Sequence, residues 1–227
     1  MNTLKNFTTM KTNAEIRQEA LSLSKGTWGQ AVAVTVVFLL VTYAVSAVAA
    51  SIGMLGGAPS GESLLGQVLS LVASVLVVYP MSFSMAMLFL QFVRGEQKLY
   101  VKGIFKGFSK PYYGKSVGVY LLIGIFTFLW ALLLIIPGII KALSYSLAPY
   151  ILVDNPTLTA NQAIDESIKM MHGHKMDLFL ILLGYMGLAL LSLLALGIPL
   201  LWLSPYYQVV LAKFYEEVKA DYYATAR

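Results

Sequence analysis

The chain has 227 residues, with 16 Lys and Arg against 11 Asp and Glu, a formal net charge of +5, 58% hydrophobic residues and a mean hydropathy of +0.74. Its charged fraction of 12% is about half the 25% of a soluble domain, and disorder needs low hydrophobicity with high charge. Both are excluded in favour of a polytopic membrane protein, and the absence of cysteine excludes disulfides, thiolate metal sites and a cysteine nucleophile.

Residues 1–12 read as a flexible tail and 13–227 as one transmembrane domain. The polar start contains no apolar signal core, so no cleaved signal peptide is expected. Asn13 is placed to cap a short helix whose apolar side is Ile16, Ala20 and Leu23, and Gly26 ends it. No charge falls between Lys25 and Glu62 or between Glu62 and Arg94. Each stretch holds one long helix, 28–52 and 65–93, joined by a Gly/Ser/Pro loop at 53–61; about 20 apolar residues cross the hydrocarbon.

Val101, Ile104, Phe105 and Phe108 follow at i, i+3, i+4 and i+7, with Lys102, Lys106 and Lys110 on another face, which predicts an amphipathic helix. Gly103 and Gly107 read as surface glycines of that helix. Between Lys115 and Asp154 the sole charge is Lys141, and the stretch breaks at Pro137-Gly138 into helices 116–136 and 137–153. Thr159 and Gln162 form a capping-box pattern before Ala163, Ile164, Ile168 and Met171, and Gly173 closes that helix. The uncharged run from Asp177 to Lys213 breaks at Gly197-Ile198-Pro199 into helices 178–196 and 199–218. The fold class is all-α: six transmembrane helices as three hairpins, each preceded by an amphipathic segment that lies in the headgroup plane or covers the end of the bundle.

The pieces recur. Ser82-Phe83-Ser84-Met85-Ala86 matches Ser144-Tyr145-Ser146-Leu147-Ala148 at a spacing of 62, and Pro205-Tyr206-Tyr207 is a weaker third copy. Ile104 and Ile164 are 60 apart, as are Gly124 and Gly184. A repeat of this kind implies an approximate rotation axis along the membrane normal. All Lys and Arg except Lys141 fall on one side of the six-span arrangement, so both termini are expected in the cytoplasm. The basic balance is a topology signal, and no nucleic-acid partner is expected.

Pro137-Gly138-Ile139-Ile140-Lys141, then Tyr145, Pro149, Asp154-Asn155-Pro156, Ala163-Ile164, Ser167, Met170-Met171, Gly173-His174-Lys175 and Phe214-Tyr215 resemble a bacterial integral membrane family designated a domain of unknown function, number nine-seven-five. The likeness runs from about Lys11 to Val218; at Met176 that family more often carries tryptophan. The family is similar, more distantly, to the membrane domain attached to some glycerophosphodiester phosphodiesterases. The resemblance implies a six-helix protein of the bacterial plasma membrane and no known activity, and the soluble phosphodiesterase domain has no counterpart in this chain.

Chemistry-bearing constellations are sparse. His172 and His174 have no cysteine or third histidine beside them, so no metal site is expected. The adjacent Asp165 and Glu166 point to different sides of a helix, which disfavours paired acid–base work. No catalytic residue and no cofactor is expected, and the chain does not read as an enzyme. Polar side chains inside the spans are mainly hydroxyls, which either bond their own backbone or form a polar centre. The candidate ligand site is Ser82, Ser144, Tyr145, Tyr206 and Gln208, at the convergence of the repeated segments, with Lys141 toward the outer mouth. Lys141 either snorkels to the interface or contacts an anion there. The expected function is a non-catalytic membrane protein interacting with membrane lipids or with a protein partner at the cytoplasmic face. The alternative is a transporter or channel for a small or amphipathic solute.

Overall fold

The structure is a computed structural model that describes residues 10–55 and 64–225. Most of the expected tail and the loop carrying Ser60 and Glu62 lie outside the described residues. Among those described, the elements are helical and no strand occurs.

Helix α1 (Asn13–Ser24) starts one residue earlier than expected: Thr12, not Asn13, is the cap, in a capping box with Glu15. It buries Ile16, Ala20 and Ser24 and ends before Gly26 at φ +83°. Helix α2 (Trp28–Leu55) leads to α3 (Leu64–Ala73), which continues through a π-helical turn at Ser74–Val78 into α4 (Tyr79–Val93). The π turn falls just ahead of Pro80. Proline has no N–H for the carbonyl four residues back, and the Tyr113 hydroxyl donates to that carbonyl, Leu76 O, at 3.3 Å.

The Val101–Phe108 segment is a 3₁₀ helix and not the expected amphipathic α-helix. It is held close to α4 because Gly103 and Gly107 are buried, not surface, glycines. A side chain at Gly107 would run into the Pro80 carbonyl, and at Gly103 into Leu88. The Gly107 N–H donates to Ser84 Oγ at 2.6 Å, and Ser84 Oγ donates to Pro80 O at 2.8 Å. The apolar residues read as one face are divided: Ile104 is buried, whereas Val101, Phe105 and Phe108 are exposed.

Helix α5 (Lys110–Leu133) ends at Leu134, and α6 (Ile135–Tyr145) follows directly. The break therefore comes three residues before Pro137, which sits in the first turn of α6, where the missing N–H would have had no partner anyway. A second break at Ser146–Leu147, just before Pro149, separates α6 from α7 (Ala148–Asp154). Ser167 of α8 (Ala160–Met170) stitches that break. Its Oγ donates to Ser144 O at 2.8 Å and accepts from Leu147 N at 3.2 Å. The Thr159–Gln162 capping box of α8 forms as expected, with Ala163, Ile164, Ser167 and Met170 buried against the bundle. Helix α9 (Lys175–Leu194) and α10 (Leu200–Thr225) are joined by a turn with Leu196 at φ +56° and Gly197 at φ +75°.

Among the described residues, five stretches are long and apolar enough to cross a membrane: Trp28–Ile52, Gly66–Val93, Lys110–Leu133, Ile135–Asp154 and Lys175–Leu194. The expected sixth, in α10, is long but meets Lys213, Glu216, Glu217, Lys219 and Asp221 in its second half. The core is concentrated on α4, which buries Met81, Phe83, Leu88, Phe89 and Leu90 almost completely, on α7, and on Val209–Tyr215 of α10. Helices α2, α5 and α9 expose most of their apolar surface. Each of the three inner elements packs on a short segment: α4 on Val101–Phe108, α7 on α8, and α10 on α1.

Candidate functional site

The six side chains chosen from the sequence do not share one cavity. Ser82 Oγ donates to Val78 O at 2.9 Å, and Ser144 Oγ donates to Ile140 O at 2.8 Å, each satisfied by its own helix. Tyr145 packs its ring 6.2 Å from Phe126. Lys141 Nζ lies 4.7 Å from the centre of the Trp130 ring, a cation–π contact. Gln208 is half-buried in α10. Tyr206 donates to Arg17 O at 3.5 Å and lines two adjoining cavities. His174, at the start of α9, lies between Asp177 (3.8 Å) and Asp221 (3.2 Å). Among the described residues no group of three or more His, Asp or Glu is placed to hold a metal ion.

The polar convergence that does form lies at the ends of the inner helices. Arg94 follows the last residue of α4 and Asp154 is the last residue of α7, while Tyr215, Glu216 and Lys219 project from α10. Arg94 Nη1 donates to Asp154 Oδ1 at 2.7 Å and Nη2 to Oδ2 at 2.9 Å, a two-pronged pair. Nε and Nη2 of the same guanidinium donate to Glu216 Oε1 at 3.0 and 2.6 Å. Tyr215 OH and Lys219 Nζ donate to Asp154 Oδ2 at 2.7 and 2.6 Å. The Tyr215 ring stacks on Tyr150 with centroids 5.3 Å apart.

The Asp154 side chain is 9% exposed and sits at a helix C-terminus, where the helix dipole disfavours a negative charge. Two cations and a phenol offset both costs. The hydrogen bond to Asp154 raises the Arg94 pKa above its ordinary value, against burial. Two cations and two carboxylates close on themselves, with no bare acid or base left over. The arrangement clamps three helices together, and its groups are engaged with one another instead of aimed at a reacting centre.

This clasp was not among the residues chosen from the sequence, although a signal for it was there. Arg94 and Asp154 are 60 residues apart, the spacing of Ile104 and Ile164, and Asp154 and Tyr215 are 61 apart. Asp154 and Tyr215 also stand among the residues carrying the family resemblance.

A different polar setting occurs on the side of the bundle. Arg17 on α1 lies against α9, where Nη2 donates to Leu180 O at 3.0 Å. Gly184 makes the approach possible, since a Cβ there would come within 2.6 Å of Nη2. Arg17 lines a small cavity of about 40 Å³ with Gly184, Tyr185, Tyr206 and Tyr207, and the rings of Tyr185 and Tyr207 stack at 4.3 Å. Leu188, Leu203 and Tyr206 continue from it into an apolar groove of about 500 Å³, flanked by Trp28 and Trp202.

No curated protein and no solved structure matches the chain. The family described as Protein of unknown function (DUF975) matches residues 10–144 and 132–222, which together contain the clasp, Arg17 and the groove, and the chain belongs to that family.

Proposed function

We propose that this is a non-catalytic integral membrane protein that engages membrane lipids through the end of the bundle bearing the clasp and the short segments. In this reading α10 is the sixth span, both termini are cytoplasmic, and the membrane is a bacterial plasma membrane. The three units are related by a repeat of about 60 residues. The paired contacts Ser84–Gly107 and Ser144–Ser167 support it, since both join residues 23 apart and they lie 60 apart in the chain. So does the packing of α4, α7 and α10, each on the next short segment, with α10 returning to α1.

The observation that carries the lipid reading is the Val101–Phe108 segment. Its glycines and Ile104 are buried against α4, which leaves Tyr100, Val101, Phe105 and Phe108 exposed beside the exposed Lys98, Lys102 and Lys110. Apolar side chains flanked by lysines suit an anionic membrane surface, where the rings enter the headgroup region and each lysine adds about 1 kcal/mol. A protein partner at the same face remains an outcome of the test.

Native mass spectrometry of the protein extracted from its membrane tests the reading, with retained phospholipid as the expected result. Protein that retains none, and whose engineered cysteine at Ser109 is labelled from outside the cell, would overturn it. A cysteine at Ser60 should label from outside. The chain has no native cysteine, so the labelling background is clean.

A further inference from the structure

Arg17 is unlike the other cations that hold elements together in this protein. Arg94, Lys11, Lys213 and Lys219 each reach a carboxylate. Arg17 makes no ion pair among the described residues, and its one hydrogen bond goes to the Leu180 carbonyl, which already accepts within α9. The Tyr185 and Tyr207 hydroxyls beside it have no hydrogen-bond partner among the described residues. An arginine prefers a planar anion that accepts two of its N–H groups, and phosphate fits that fork.

Its place along the span and the surface beside it narrow the anion. Leu180 and Gly184 lie five and nine residues from Lys175, at which α9 begins, or about 7 to 14 Å at 1.5 Å per residue. In a hydrocarbon core about 30 Å thick, that depth falls in the half adjoining the start of α9. From there the groove runs on past Leu188 and Leu191 to Trp202. It is apolar and open to the side: Leu21, Leu188, Leu191 and Trp202 are exposed. Its volume of about 500 Å³ falls within the range of ligand clefts. A free phosphate ion would use the arginine and leave the groove unexplained, whereas a neutral chain would use the groove and leave the arginine without a counter-ion.

We infer that the cleft between α1, α9 and α10 binds an anionic glycerophospholipid, its phosphate on Arg17 and an acyl chain along the groove flanked by Trp28 and Trp202. Tyr185 and Tyr207 line the small cavity beside Arg17. This rests on the membrane and lipid reading above and names a site and a lipid class for it.

Two of the three tryptophans flank the groove, and Trp130 lies on Lys141 instead, so fluorescence quenching in a Trp130→Phe background reports on the cleft. The protein is reconstituted in phosphatidylcholine vesicles containing increasing fractions of phosphatidylglycerol or phosphatidylcholine with brominated chains. Brominated phosphatidylglycerol is expected to reach half-maximal quenching at a mole fraction at least five-fold lower than brominated phosphatidylcholine. Arg17→Gln should make the two curves coincide, and Arg17→Lys should keep part of the difference. Gly184→Ala, which pushes the guanidinium aside without removing it, should act like Arg17→Gln and covers the case in which that variant misfolds. Millimolar inorganic phosphate should leave the difference in place; its loss would reassign Arg17 to a soluble anion and overturn the lipid assignment. Coincident curves for the unsubstituted protein would also overturn it, and retained phospholipid in the mass spectrum would then keep the broader reading alive. A protein that retains no phospholipid at all would end both.

Discussion

Arg94 and Arg17 both project from short stretches beside the spans, and their surroundings are opposite. Arg94 gives four hydrogen bonds to two carboxylates, Asp154 and Glu216, of which Asp154 is also held by Tyr215 and Lys219. Arg17 gives one, to a helix carbonyl, beside a groove with almost no polar surface. In the first case the chain supplies every counter-charge, so the group is spent on holding α4, α7 and α10 together. In the second no described residue supplies a counter-charge, and that is the gap the proposed lipid phosphate fills. The difference separates what this molecule uses to stay folded from what it has left with which to bind.

The sharpest way to break that distinction is to open the clasp. Asp154→Ala removes the acceptor shared by Arg94, Tyr215 and Lys219, leaving the buried Tyr215 hydroxyl and the half-buried Lys219 without it and Arg94 with Glu216 alone. Breaking a buried pair by deleting one partner costs about 3 kcal/mol or more, so the thermal midpoint in detergent should fall further than for any other single change considered. Lipid selectivity in the quenching experiment should persist wherever the variant remains folded. A loss of selectivity with no loss of stability would show that the clasp, and not Arg17, is the binding group.

Ser167→Ala is next. It strands Ser144 O and Leu147 N at the break between α6 and α7, at a cost of about 2 kcal/mol for unsatisfied buried groups. Ser84→Ala removes the acceptor of the Gly107 N–H and should cost a similar amount. Equal costs would support the repeat of about 60 residues; a much smaller cost for one would speak against equivalent joints.

Lys11 supplies a milder closed case on the exposed side of α1. Its Nζ meets Glu19 at 2.7 Å and Glu217 at 2.9 Å, with side chains partly open to solvent, so Lys11→Ala should cost about 0.5 kcal/mol. The hydrogen bond to Glu19 raises the Lys11 pKa above 10.5, and the bond from Lys11 lowers that of Glu19 below 4.5. The Glu19 contribution is present above its unfolded value and lost as pH falls through the folded one; the Lys11 contribution is present below its own unfolded value and lost as pH rises. The variant should therefore differ from the parent between about pH 4.5 and 10.5 and match it in acid, as followed by melting temperature against pH.

Much of this organisation could be read from residue order. Uncharged runs marked the long helices to within about two turns, since a charge in hydrocarbon is costly, and the Thr159–Gln162 box marked the start of α8 because its geometry is wholly local. The misreadings share a cause. Whether Val101–Phe108 is α or 3₁₀ depends on how closely Gly103 and Gly107 let it approach α4, a tertiary fact. Pro137 looked like a boundary but is tolerated in a first helical turn, so the chain broke at Leu134 instead. The clasp was hidden because Arg94 and Lys219 were read as topology markers. The candidate serines were chosen for their hydroxyls, and a hydroxyl in a helix readily returns to the carbonyl four residues back, as those of Ser82 and Ser144 do. Arg17 needed three-dimensional knowledge that Gly184 leaves room for it.

Gly184→Ala sharpens the comparison where the expected change in stability is smallest. Alanine is favoured over glycine inside a helix by about 0.5–1 kcal/mol, and α9 at this position is an ordinary helix. Against that gain stands the loss of the Arg17–Leu180 hydrogen bond, worth about 1 kcal/mol, because the added methyl and Nη2 cannot share the space. The two nearly cancel, and the melting temperature should move by no more than a degree or two. If the guanidinium were there mainly to hold α1 against α9, its displacement would show as a clear loss of stability with unaltered lipid preference. If it is there to meet a phosphate, the preference for phosphatidylglycerol disappears from a protein as stable as its parent. Asp154→Ala should give the reverse pattern, so the two variants together test whether a polar group's partner lies inside the chain or in the membrane around it.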